Sequence, residues 1–237
     1  MAKQAIQCTD KSAEKPHYHG HRERLRQRFF SGRNDALPDY ELLELALFFS
    51  RRQGDTKPTA KALLAEFGSF ANVINAPIDR LKDVKGVGDQ AATLLKVIQA
   101  ATLRVTKTQI SNKPVLSSWA DVLSYLHAVQ AYEPCEIFRT LYLDKKNRLI
   151  GDEEQNRGTV DHTPVYIREV LKRALEHSAT ALILVHNHPS GDPQPSEADI
   201  TMTRQIIDAA KPLGISVHDH IIVGRQGHKS LRKLGVM

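Results

Sequence analysis

Two histidines stand two residues apart, His186 and His188, and Asp199 follows eleven residues after the second. Imidazole nitrogen and carboxylate oxygen are zinc donors, and three protein ligands with one open position form the usual set of a catalytic zinc site. The chain has two cysteines, Cys8 and Cys135, and no CxxC, so any zinc here is held by His and carboxylate. An ion so held lowers the pKa of a water from near 16 to about 7 and polarises a carbonyl, which is the chemistry of amide hydrolysis. A single histidine is ordinarily just a polar residue. Here the fixed spacing of His186, His188, Ser196 and Asp199 argues for one Zn2+ per chain.

For two imidazoles to converge from positions i and i+2, their segment must be extended. The run Ala181 to Val185 before them is continuously apolar and has the length of a strand buried on both faces. A Pro- and Gly-containing loop, His188 to Pro195, leads into a helix from Glu197 to about Ala210, with Asp199 in its first turn. The loop folds that turn back against the strand end. Ser196 followed three residues later by Asp199 also fits a helix cap and capping box, and a ligating Asp is not expected to be free to cap. Ile215 to Val223 reads as another strand. His218 and His220 alternate along it and read as core or supporting groups, with Asp219 and His220 placed to back a ligand from behind.

Upstream, Ser118 with Asp121 predicts a capped helix through Trp119, Val122, Leu123 and Leu126. Glu136 to Leu143, a turn at Asp144 to Asn147, and Arg148 to Ile150 predict a β-hairpin, followed by a helix from Pro164 to about His177. Residues 118–237 thus form an α/β domain. Residues 1–20 read as a flexible tail whose His17, His19 and His21 carry no function, and 108–117, with Asn112, Lys113 and Pro114, as a linker.

Between them, residues 21–107 have helical periodicity: Tyr40, Leu43 and Leu47 after Pro38, then Thr59 to Phe67 closed by Gly68. Leu81, Val84 and Val87 frame a Gly86-Val87-Gly88 turn that resembles a helix-hairpin-helix. Glycines there let backbone N–H groups approach a phosphate, so Lys85, Gly86 and Gly88 are the expected contacts to DNA, made without reading sequence. A plain helical turn is the alternative, and Asp89-Gln90 replaces the usual Pro-Lys, bringing negative charge to that place. The first 35 residues carry eight Lys or Arg against four acids, which suits phosphate contact or simply a solvated tail.

The chain of 237 residues is 41% hydrophobic and 25% charged, a globular composition with room for two domains. No apolar run approaches the roughly 18–20 residues of a membrane span, and the first residues lack the apolar stretch of a signal peptide. A cytoplasmic protein with free thiols and no membrane partner is expected.

HxH, then Ser196, then Asp199 resembles the JAMM motif of MPN-domain metalloproteases. The flanking residues His188 to Pro193, the strand Ala181 to Val185 and Asp219 to Gly224 resemble the bacterial RadC group of that superfamily. The resemblance implies a cytidine-deaminase-like MPN/JAMM domain, a mixed sheet with flanking helices, preceded by a small all-α helix-hairpin-helix domain. It implies a metallopeptidase or isopeptidase acting on a protein or peptide. It further implies a glutamate from the start of the domain as proton carrier, for which Glu136 is the first choice and Glu153, Glu154 and Glu169 the others, and Ser196 as donor to the developing oxyanion. In many relatives Ser or Thr stands where Asn187 does here. A second reading is a DNA-associated accessory protein of repair or recombination whose metal site is structural or vestigial. Neither substrate nor oligomeric state is written in a short motif.

Overall fold

The computed structural model describes residues 20–32, 37–111, 114–157 and 165–237, so most of the expected tail lies outside the described residues. The chain divides into two compact units, residues 1–96 and 97–237.

The first unit is helical: α1 (His21–Ser31), α2 (Asp39–Ser50), α3 (Lys57–Phe67), α4 (Phe70–Asn75), α5 (Ile78–Lys82) and the first part of α6 (Asp89–Ser111). Leu43, Leu47, Leu63, Val73, Leu81 and Leu95 are its buried centre. The turn between α5 and α6 forms as expected, and its two glycines differ in kind. Gly86 has φ +94, and a Cβ there would sit 2.6 Å from Thr59 Oγ1, so backbone and packing both demand glycine. Gly88 has open space around it. Lys85 is exposed, and Asp89 is paired with Lys82 Nζ at 2.5 Å, which holds its carboxyl below the ordinary value. Part of the basic N-terminal run is spent on the fold itself. Arg22 donates to the carbonyls of Arg52 and Gly54, both at 2.9 Å, Arg28 pairs with Glu41 at 2.7 Å, and His21 bonds the buried Glu44 at 2.9 Å.

In the second unit, α6 runs on to Ser111, and Ile110 is fully buried in one core with Val115, Val122 and Leu126. The segment expected as a linker is therefore, where described, the end of a helix, a bridge from Pro114 to Arg148 and a 3-10 turn at Val115–Ser118. Its polar outer face hides the helical period, and two apolar residues anchor it. The predicted capping box at Ser118 does not form: its hydroxyl donates back to the Pro114 carbonyl inside that turn.

There follow α7 (Trp119–Gln130), β1 (Ile137–Leu143), β2 (Leu149–Arg157), α8 (Ile167–Glu176), β3 (Ala181–Asn187), α9 (Glu197–Ala210), β4 (Ser216–Gly224), β5 (Gly227–Ser230) and α10 (Leu231–Leu234). Among the described residues the strands make one mixed sheet in the order β2-β1-β3-β4-β5, parallel only between β3 and β4. β2 extends well past Ile150, and β5 and α10 add to the expected elements.

Strand alternation sorts side chains onto two helical layers. Ala181, Ile183 and Val185 of β3 pack with Val122, Tyr125 and Leu126 of α7. Leu182 and Leu184 pack with Val170 and Ala174 of α8 and Ile206 of α9. By that parity His186 faces the α8 and α9 layer.

On the edge strand, Glu153 accepts from two of the Arg173 nitrogens of α8, one at 2.8 Å, and from His177 at 2.8 Å. Hydrogen bonds from Arg173, ahead of those from His177, bring its carboxyl down to about 2 from an ordinary 4.5. A depressed carboxyl stabilises the fold fully above its unfolded pKa, and the effect fades as pH falls through the folded one. Glu153→Gln is thus expected to lower the urea midpoint near neutral pH, with the gap to wild type closing as pH drops from 4.5 towards 2. A gap independent of pH would show that the pairing contributes nothing.

Candidate metal centre

β3 ends on His186 and Asn187, and His188 follows in the loop. His186 Nε2 lies 3.0 Å from His188 Nε2 and 3.2 Å from Asp199 Oδ1, and His188 Nε2 lies 3.7 Å from Asp199 Oδ2. Within the described residues these three are the group whose donor atoms all fall inside 4.8 Å of one another. His186 is 1% exposed, while His188 and Asp199 are half-buried, so the cluster is walled on one side and open on the other. Two nitrogen lone pairs and a carboxylate aimed at one point repel unless a cation satisfies them, and this donor set fits a metal ion.

The tautomers of both histidines follow from their partners, assigned by what each partner can accept. The Asp199 carbonyl can only accept, so the Thr203 hydroxyl at 2.5 Å donates its single proton there. Thr203 Oγ1 then accepts from His220 Nδ1, also at 2.5 Å. That leaves His220 Nε2 bare to accept from His186 Nδ1 at 2.8 Å. His186 Nε2 is consequently unprotonated and faces the cluster. His188 Nδ1 donates to the Asp192 carbonyl at 2.9 Å, which bares its Nε2 in the same way. His220 is fully buried, and burial, followed by the neighbouring His186, holds it neutral by pushing its pKa well down.

His220 reaches this face because of an irregularity in the β3–β4 ladder, where Leu182 pairs with Val217 but Ile183 pairs with Asp219. One extra residue, His218, reverses the alternation. Val217 lies in the α8 and α9 layer, but after the shift it is Ile221 and Val223 that pack towards α7, so the even residue His220 turns to His186. His218 bonds Asn147 at 2.7 Å instead. Asp219 acts one step further back than expected: it accepts from the Ser230 hydroxyl and from the backbone N–H groups of His220 and Arg232, fixing β4 rather than a ligand.

The loop bearing His188 is held as firmly. His188 N–H donates to the Val223 carbonyl and Gln226 N–H to the Gly191 carbonyl, at 2.9 and 3.1 Å. A Cβ on Gly224 would lie 2.2 Å from Gly191 O, so only glycine lets loop and strand end approach this closely.

Asp199 both caps and faces the cluster, where the two roles were expected to compete. Oδ2 accepts from Ser196 N–H and hydroxyl at 2.8 and 2.7 Å, Ser196 Oγ accepts from Asp199 N–H at 3.2 Å, and Oδ1 turns to His186. Burial opposes its ionisation, but the facing His186 and His188, with the Ser196 hydroxyl, overcome this and keep the carboxyl far below the ordinary range. The Ser196 proton is thus directed into the cap.

Glu136 immediately precedes β1 and is half-buried. Phe138 pairs with His186 in the antiparallel register, so two residues back along β1 brings Glu136 level with His188. His188 has a raised pKa, chiefly through the facing Asp199 carboxylate, and the Glu136 charge adds to the effect. The alternative glutamates are engaged elsewhere: Glu153 as described, Glu154 with Arg139 and Arg157, and Glu169 with Arg168 and Lys172. Lys85, Gly86 and Gly88 belong to the first unit, apart from this cluster in the chain. His220 backs a ligand from behind as the sequence suggests, while Thr203 behind it and Gly224 are additions that the sequence did not announce. Thr203 lies four residues after Asp199 on α9, which is the one trace it leaves.

Thr203→Val keeps shape and volume but removes the acceptor for His220 Nδ1. The proton then has reason to move to His220 Nε2, which forces the wrong tautomer on His186. Metal affinity by calorimetry is expected to fall about 10–100-fold, the usual cost of losing such a supporting bond. An unchanged affinity would remove Thr203 from the relay.

A family model described as the RadC-like JAB domain matches residues 116–236. This span takes in α7, the whole sheet, the His186, His188 and Asp199 cluster, Glu136 and both glycines of the loop contact. Among the described residues, no helix is long and apolar enough to cross a membrane. On the fold, the cluster and this match, the chain belongs to the RadC-like JAB domain family, a JAMM/MPN-type group.

Proposed function

We propose that this protein is a zinc-dependent metallohydrolase that cleaves amide bonds in a protein or peptide, as a peptidase or isopeptidase. The observation that carries the reading is the direction of the two imidazoles: both Nδ1 protons are bound away from the cluster, to His220 and to the Asp192 carbonyl, and both Nε2 lone pairs face Asp199. A purely structural zinc site would close with a fourth protein ligand. His186, His188 and Asp199 would hold the ion, and when bound it supplies a Lewis acid and a water acidic enough to attack at neutral pH.

The remaining steps fall to the chain. Glu136, level with His188, accepts the proton of the attacking water and passes it to the leaving amine nitrogen, a role worth about 10²–10⁴-fold. Ser196 rotates its hydroxyl from Asp199 Oδ2 to the oxyanion, while its backbone N–H keeps Asp199 in place at 2.8 Å.

Purified protein is expected to carry close to one zinc per chain by elemental analysis, and alanine at His186, His188 or Asp199 to remove it. On a quenched-fluorescence peptide library, turnover should vanish with chelator and return with zinc. Glu136→Gln should keep the metal and lose about 10²-fold or more of the rate. A triple-alanine variant that still binds one zinc would sink the ligand assignment, and full turnover in Glu136→Gln would move the proton carrier to Glu154 or Glu169.

A further inference from the structure

Asn187 stands between two ligands in the sequence, yet its side chain works on β1. Oδ1 accepts from Ile137 N–H at 2.9 Å, and Nδ2 donates to the Cys135 carbonyl at 3.0 Å. These are the peptide groups on either side of Glu136. The amide orientation is unambiguous, since an N–H only donates and a carbonyl only accepts. In the β1–β3 ladder the last paired residues are Phe138 and His186. One step further, the Asn187 side chain supplies the rung that backbone would otherwise make.

Asn187 is 1% exposed and Gln130 behind it 0%, so water does not share these bonds. Gln130 Nε2 bonds the Ile137 carbonyl and, at 3.3 Å, Asn187 Oδ1, while Gln130 Oε1 accepts from Arg139 Nε at 3.2 Å. Arg139 is itself forked onto Asp152 and Glu154 at 2.6 and 2.7 Å. The amide clamping Glu136 is therefore locked by a network that reaches the edge strand.

We propose that Asn187 is a positioning residue that couples the ligand strand to Glu136, so that the segment carrying His186 and His188 also fixes where the proton carrier stands. This rests on the reading of Glu136 given above. A merely structural Asn187 would satisfy two buried peptide groups and do nothing more for Glu136 than for its neighbours.

The full-length, zinc-loaded protein separates the two. Asn187→Ala should keep its zinc but lose about 10²-fold in kcat with KM unchanged, the scale of a displacement of about 1 Å in a reacting group. In a Glu136→Gln background the same change should cost nothing further, because the group it positions has already been disabled. Asn187→Asp, of equal size, keeps the bond to Ile137 but sets an oxygen against the Cys135 carbonyl. It should lose rate in the same direction and serves if the alanine variant does not fold. Independently of turnover, in cobalt-loaded protein the paramagnetic relaxation of the Glu136 carboxyl carbon should weaken in both variants while that of the His220 ring does not. Unchanged relaxation at Glu136 in a folded variant, or rate losses that simply multiply with those of Glu136→Gln, would overturn the proposal. Full turnover in Glu136→Gln alone would overturn the proton-carrier reading instead, and the relaxation comparison would still decide the clamp.

Discussion

The hydrogen bond from His186 Nδ1 to His220 Nε2 decides whether the cluster can bind anything, because an imidazole with its proton on Nε2 has no lone pair to give there. That bond has one direction only because His220 Nδ1 is already spent on Thr203, and Thr203 on the Asp199 carbonyl. The chain of three bonds starts and ends on ligands, so α9 and β3 fix each other's chemistry as well as each other's position. Both supporting groups are shielded from water, Thr203 and His220 each at 0% exposure, which keeps the protons where the partners put them.

The sheet exists, for this purpose, to bring that chain together. β3 has neighbours on both sides, its odd residues pack on α7 and its even residues on α8 and α9, so His186 meets what α9 and β4 present. The extra residue at His218 is what makes β4 present His220. With a regular ladder, Asp219 would fall on that face in the parity of Val217, and a carboxylate there would hold a proton from His186 but add a second negative charge beside Asp199. A neutral imidazole with a hydroxyl behind it orients the ligand without that charge.

His186, His188, Ser196 and Asp199 were legible in the sequence because they lie within one strand-loop-helix unit, where spacing fixes geometry. Glu136 lies fifty residues upstream, and spacing says nothing across that distance; family resemblance named it, and strand register supplies the physical reason. β2 runs on past the expected Ile150 because an edge strand exposed along one side tolerates Gly151 to Arg157, a run too polar to read as sheet. The end of α6 reads as a linker for a related reason. The polar second half of α6 shows no apolar stripe, and only Ile110 betrays that this helix ends in the α/β core.

The middle residue of the HxH triplet shows how the two halves of the site are joined. Alternation that turns His186 and His188 to one layer turns Asn187 to the other, where Gln130 and Arg139 wait. Burying Asn187, Gln130, Arg139 and the side chain of Asp152 costs desolvation that an apolar core would avoid, and such networks are often no more stable than the hydrophobic residues that could replace them. What the network adds is geometry. Only a planar amide presents a donor and an acceptor side by side, so it alone can hold the Cys135 carbonyl and the Ile137 N–H at once. Asn187→Ser or Asn187→Thr would be shorter and have a single donor, too little reach for both peptide groups. With either replacement the polar residues behind position 187 would lose their reason to be buried.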